Sequence, residues 1–273
     1  MPFSVLGSSL APLTKRFSMK FLSLWLFLAA LYPLYAEETF LLVDGDSGQI
    51  LESFGNNLDE SFTPACTFNI ALSLMGYDAN ILKDARFPVW EPQLGQDDSP
   101  QTPLSWMKES CVWYSKKLAL ELTADQIEKY LAWFDYGNQN FSGGLPETGE
   151  SNPPWISSSL KISITEQVNF IRKMLLGTLP ISNHTLQMTK RLLFKEELVN
   201  GWILNGKTGL GTDFSENPLK VRWFVGWIER KNQVFPFAYQ FVEKNVDASQ
   251  TLPRVKQLIQ KSLSNDNLDI NWK

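Results

Sequence analysis

The chain has 273 residues, of which 44% are hydrophobic and 20% charged, with a formal net charge of -4. That is enough apolar material to bury one large core, or two smaller ones that share an interface. The charge is small and interspersed, with no basic stripe or polybasic run, which argues against nucleic acid and an anionic membrane surface as partners.

At the N-terminus, Lys20 leads the short apolar run Phe21 to Leu31, and Leu34-Tyr35-Ala36 places a small residue where a signal peptidase cuts. This is the pattern of a secretory signal peptide, with an uncleaved anchor as the alternative, since the run is short for a membrane span. It predicts a leader that starts at Met19 and is cleaved after Ala36, with Met1 to Ser18 superfluous to it. The expected mature protein, residues 37–273, is periplasmic or secreted and keeps no stable membrane anchor. Only two cysteines occur, Cys66 and Cys111. Two are too few for a disulfide scaffold, although export permits a bridge if the Cα atoms come within about 7 Å.

Thr39 to Val43 and Gln49 to Ser53 are short apolar segments around the turn-rich Asp44-Gly45-Asp46-Ser47-Gly48, a predicted hairpin. Pro64 and the apolar positions Phe68, Ile70, Ala71, Leu74 and Met75 predict a helix opening near Cys66 and closing around Gly76. From about 77 to 185 the patterns are helical, over Trp106 to Leu122, Thr123 to Phe134 and Ser163 to Leu176. Thr102-Pro103 precedes the first of these, and Ser163 with Glu166 forms a capping box at the last. Loops rich in Gly, Pro and Ser interrupt at Gly137 to Pro146 and Gly149 to Pro154.

After residue 200 the chain becomes aromatic and β-branched. Gly201 to Leu204, Leu219 to Glu229 and Val234 to Val242 read as antiparallel strands, followed by a helix over Pro253 to Leu263. The predicted class is α+β. An antiparallel sheet comes from about 37–62 and 190–273, flanked by helices from both termini, and an all-helical part is inserted over about 63–189.

Several short motifs have chemical content only in combination. Cys66-Thr67-Phe68-Asn69 alone is a cysteine in an apolar helix, most often a small core residue. Ser110-Cys111-Val112 reads alone as a capping serine, Tyr136-Gly137-Asn138 as a turn, and Lys207-Thr208-Gly209 as a solvated strand-end lysine. Their order and spacing, with Phe62-Thr63-Pro64-Ala65 before the first, Trp155 among them and Trp223-Phe224-Val225-Gly226-Trp227 after the last, change that weighting. Across nearly the whole mature chain the set resembles the class D, oxacillinase-type serine β-lactamases of the penicillin-binding transpeptidase-like superfamily.

In that family the first motif is Ser-x-x-Lys, whose lysine lies one turn beyond the serine on the same face. Here the nucleophile position is Cys66 and the general-base position Asn69. The resemblance implies that Ser110 relays a proton to the leaving nitrogen and that the backbone N–H groups of Cys66 and Leu210 form an oxyanion hole. It gives Lys207, Thr208, Gly209, Val112, Tyr136 and Asn138 to substrate binding. Trp155 would shield the base, and Arg254, one residue off the family register, would meet the substrate carboxylate. No cofactor is implied. The partner the resemblance implies is a small-molecule, penicillin-type β-lactam, and a homodimer is compatible with the sequence.

The two replacements bear on different steps. A free thiol is a few per cent thiolate at neutral pH, and a helix N-terminus with Lys207 nearby would raise that fraction, so acylation of Cys66 stays open. Asn69 has no basic nitrogen because its amide lone pair is delocalised. Loss of a general base typically costs about 10²- to 10⁴-fold, so hydrolysis is expected to be weak or lost. The alternative is a non-enzymatic periplasmic binder of β-lactams or of a peptidoglycan stem. A Cys-His hydrolase is disfavoured, because the only histidine, His184, sits in a predicted polar turn, Ser182 to Thr185, far from Cys66. No cluster has zinc-ligand spacing, which leaves a metallo-β-lactamase mechanism unsupported.

Overall fold

Chain segments about 200 residues apart in sequence pair side by side in one sheet. The computed structural model describes residues 37–92, 99–143, 145, 152–157, 159–213, 218–244 and 248–264. The predicted leader, with Met19 and Ala36, and parts of both Gly/Pro/Ser-rich loops lie outside the described residues. In chain order come β1 (Glu37–Val43), β2 (Ile50–Phe54), a 3-10 turn at Ala65–Phe68, α1 (Asn69–Asp78), α2 (Pro103–Glu109), α3 (Val112–Leu122) and α4 (Ala124–Phe134). Then follow α5 (Pro154–Ser157), α6 (Ile164–Leu175), α7 (Asn183–Leu192), β3 (Phe194–Glu197), β4 (Ile203–Asp213), β5 (Leu219–Arg230), β6 (Gln233–Glu243) and α8 (Thr251–Ser264).

The sheet has six strands in the order β2-β1-β6-β5-β4-β3, and every pairing is antiparallel. The expected α+β class is thus observed. Helices cover both faces, which explains why β1, β5 and β6 carry largely apolar runs buried on both sides instead of alternating. Along β5, Val221, Trp223, Val225 and Trp227 join the core shared with the inserted helices, while Phe224 and Ile228 join Val255 and Ile259 of α8 on the opposite face. The period of two is present in the packing although both sets are hydrophobic.

Two local expectations are corrected, and one strand is added. The predicted helix over Trp106 to Leu122 is two helices, broken where Ser110 takes left-handed φ 58° as the C-cap of α2. The polar stretch Ser182 to Thr185 is no turn: the Ser182 hydroxyl accepts from the Thr185 N–H and caps α7, with His184 exposed in its first turn. The edge strand β3, Phe-Lys-Glu-Glu, escaped notice because its charges carry no apolar pattern. Charged residues on an edge also oppose pairing with another chain.

Candidate active site

The approach of β4 to the 3-10 turn creates the site. β3 pairs with β4 only from Ile203 to Gly206, so from Lys207 onward β4 has β5 on one side and, among the described residues, no strand on the other. A Cβ built on Gly209 would stand 3.1 Å from the Pro64 carbonyl and 3.1 Å from the Thr67 N, so glycine permits this close approach. The entering chain is pinned as well. The Trp223 indole donates to the Thr63 carbonyl (2.9 Å), and the Thr63 hydroxyl donates to the Trp155 carbonyl (2.8 Å). Ala65, fully buried, sits at φ 50°, a strained conformation for a residue with a Cβ, immediately before Cys66.

Cys66 is therefore presented from a 3-10 turn, with the α-helix starting only at Asn69. This differs from the expected helix opening at Cys66. Its Sγ lies 4.0 Å from the Ser110 carbonyl. The left-handed turn at Ser110 also lets the Ser110 Oγ accept a hydrogen bond from the Lys207 Nζ, which donates in addition to the Thr208 carbonyl at 2.9 Å. Cys66, Ser110 and Lys207 are thereby brought together from three separate elements.

The electrostatics overturn one expectation. Burial pushes the Cys66 thiol above its ordinary range, and the Lys207 charge and the Ser110 hydrogen bond only partly offset this. The thiol is thus less ionised than a free cysteine, not more. Burial likewise pulls the Lys207 ammonium below its usual range, with the Cys66 charge acting in the opposite direction. Lys207 is 4% exposed, and among the described residues it enters no ion pair.

Asn69 is fully buried beneath the site. Its Oδ1 accepts from the Ser115 hydroxyl (3.0 Å), which accepts from the Trp106 indole (2.8 Å), and the Asn69 Nδ2 has no partner among the described residues. Ser115 was missed in the sequence. Its signal was a small polar residue on the buried face of α3, alongside Leu118 and Leu122. Trp155 is fully buried, with its ring against Phe68 (5.4 Å) and Phe141 (6.1 Å).

The remaining expected residues separate into those at the pocket and those elsewhere. Thr208, Leu210 and Val112 are exposed, the last two at 44% and 40%, whereas Gly209 is buried in the strand contact. Tyr136 does not form a pocket wall: it is fully buried with its ring on Phe68 and Phe170. Asn138 staples a loop, since its Nδ2 donates to the Ser159 carbonyl and its Oδ1 accepts from the Lys161 and Asn140 N–H groups.

Arg254 is committed elsewhere, because Glu38 of β1 holds its guanidinium through two 2.7 Å bonds. That satisfied carboxylate replaces the expected substrate carboxylate as its partner. Cys66 and Cys111 are not joined in a disulfide. Among the described residues no group of three or more His, Cys, Asp or Glu can hold a metal ion, and no helix is long and apolar enough to cross a membrane.

Such a site offers a nucleophilic sulphur, a hydroxyl able to pass a proton, a buried amine, and a strand with an open edge. Comparison with known proteins identifies the family. Residues 38–261 match the penicillin binding protein transpeptidase domain. The chain is 36% identical over 207 residues to β-lactamase OXA-1 of Escherichia coli, covering 73% of this chain and 74% of that protein. It is 31% identical over 195 residues to β-lactamase OXA-48 of Klebsiella pneumoniae, covering 68% and 69%. The solved structure of the OXA-427 class D β-lactamase superposes with TM-score 0.74 at 32% identity, over 83% of this chain and 98% of that one.

Proposed function

We propose that this chain, which belongs to the class D serine β-lactamase/penicillin-binding transpeptidase superfamily, captures penicillin-type β-lactams and turns them over poorly or not at all. The observation that carries this reading is the fully buried amide of Asn69, whose Oδ1 is held by Ser115, at the position where the family's lysine base belongs.

Binding is assigned to the open edge of β4. The exposed Thr208 hydroxyl faces the substrate carboxylate, the buried Lys207 lies behind it against Ser110, and the apolar side chains of Val112 and Leu210 flank the acyl group. Cys66 attacks the strained amide, and the backbone N–H groups of Cys66 and Leu210 stabilise the oxyanion, a contribution indifferent to the side-chain change. The product is a thioester on Cys66. Its hydrolysis requires a base for water, and an amide nitrogen supplies none. With the raised thiol pKa, the same logic makes acylation slow.

Export to the periplasm or beyond, by the leader ending at Ala36, belongs to this proposal, since β-lactams act on cell-wall synthesis there. Intact-protein mass spectrometry after incubation with benzylpenicillin tests the reading. A persistent adduct of one penicillin, abolished by Cys66→Ala, is the expected result, whereas an unmodified protein after prolonged exposure would overturn it.

A further inference from the structure

We infer that Lys207, acting through the Ser110 hydroxyl, is the proton acceptor for Cys66 in this chain. The inference rests on the proposed acylation of Cys66 and gives it the base that Asn69 cannot supply. Three features of the site support it. First, the Lys207 Nζ is hydrogen-bonded to the Ser110 Oγ, while the Cys66 Sγ lies against the carbonyl of the same serine at 4.0 Å. Second, Lys207 is buried at 4% exposure and, among the described residues, has no carboxylate counter-ion that would keep it permanently protonated. A buried amine of this kind shifts its pKa readily and can act as a base. Third, Asn69 is turned to Ser115 in the core and makes no hydrogen bond to the thiol.

The groups facing the pair come from three elements. The 3-10 turn contributes Cys66 itself, the α2–α3 junction contributes the Ser110 hydroxyl and carbonyl, and β4 contributes the Thr208 carbonyl. Lys207 is the charge that acts on the thiol, and Cys66 is the charge that acts on the amine. Burial disfavours the charged form of each, so they ionise as a pair.

The step balances without an outside reagent. As sulphur attacks, the S–H proton passes through Ser110 to the Lys207 Nζ. The S–C bond forms and the lactam C–N bond breaks. The proton then returns from Lys207 through Ser110 to the ring nitrogen. No electrons are exchanged with a third party, and the sum is thiol plus lactam giving thioester plus amine.

The test uses the full-chain protein and iodoacetamide, a thiol reagent with no carboxylate, so that its outcome is independent of β-lactam recognition. Alkylation of Cys66 is followed by peptide mass across pH 6 to 10. Lys207→Met is expected to move the rate profile to higher pH and slow alkylation at pH 7.5 by about tenfold, equivalent to one pKa unit. An unchanged profile would overturn the inference. Ser110→Ala, which removes the bridge and leaves the amine, is expected to slow penicillin acylation at least as much, and a wild-type rate would count against the relay.

Lys207→Arg separates a proton acceptor from a fixed charge, because arginine stays protonated. It should retain alkylation at or above the wild-type rate at pH 7.5 yet lose penicillin acylation. Wild-type acylation by Lys207→Arg would reduce Lys207 to a charge and overturn the inference. Penicillin adduct formation that persists in Lys207→Met would leave the proposed function standing and sink this inference alone.

Discussion

Ser115 donates a 3.0 Å hydrogen bond to the Oδ1 of Asn69 in the buried floor beneath Cys66, and the amide nitrogen on the other side has no partner among the described residues. A buried donor left unsatisfied costs about 1–3 kcal/mol, comparable to what the Ser115 bond contributes. Replacing Asn69 by leucine removes both. Ser115 keeps the Trp106 indole as donor and the Cys111 carbonyl as acceptor. Asn69→Leu is therefore expected to unfold within about 1 kcal/mol of the unsubstituted protein in urea. Cys66 alkylation should also be unaltered, because Asn69 does not act on the thiol.

Lys207 is held at a cost to the fold. Its folded pKa is lowered by burial, so the folded state binds fewer protons than the unfolded chain over the range between the two values, and stability rises with pH there. The charged form of Lys207 is therefore disfavoured by its burial in the fold. Lys207→Met keeps the aliphatic stem without the charge, and its melting temperature should equal or exceed that of the parent. A drop of more than about 4 °C, roughly 1–2 kcal/mol for a domain of this size, would show that the ammonium stabilises the fold.

Gly209 sets the distance between β4 and the turn that carries Cys66. A methyl group there meets the Pro64 carbonyl, Thr67 Cγ2 and Thr67 N, each at 3.1 Å, and backbone cannot rotate away as a side chain does. Gly209→Ala is expected to destabilise by about 1–3 kcal/mol and to slow penicillin adduct formation through displacement of the 3-10 turn. Adduct formation at the parental rate would mean that this contact does not position Cys66.

The Glu38–Arg254 pair gives the fold an acid-sensitive clasp between β1 and α8. Burial alone would raise the Glu38 carboxyl, but hydrogen bonds from Arg254 and Tyr239, with the charges of Arg254 and Arg222, hold it below its ordinary value. A depressed carboxylate contributes stability above the unfolded pKa and loses it as pH falls through the folded one. Both side chains are partly solvated, so the contribution is about 1 kcal/mol. Glu38→Gln should lower the urea midpoint at pH 7 and flatten its decline below about pH 4.5. An unchanged midpoint at both pH values would contradict the clasp.

The sheet and its helical insertion were readable from β-branched and aromatic runs at both ends of the chain, and the pocket from the spacing of four motifs. What the sequence hid depends on the third dimension. The left-handed turn at Ser110 occurs at a non-glycine residue inside an otherwise continuous helical pattern, and polar Ser182 gives the same signal for a cap as for a turn. The burial that raises the Cys66 thiol arises from β4 and the α2–α3 junction, both distant in sequence. Arg254 is a further instance, since only the fold reveals that Glu38 already holds it.

The central claim is that Asn69, more than Cys66, stops turnover. Initial rates with a chromogenic cephalosporin, measured on the unsubstituted protein, Cys66→Ser, and Cys66→Ser with Asn69→Lys, test it most directly. The expected result is background hydrolysis for the first two and a gain of about 10²- to 10⁴-fold or more for the double variant, the range a restored general base contributes. Robust hydrolysis by the unsubstituted protein, or by Cys66→Ser alone, would contradict it.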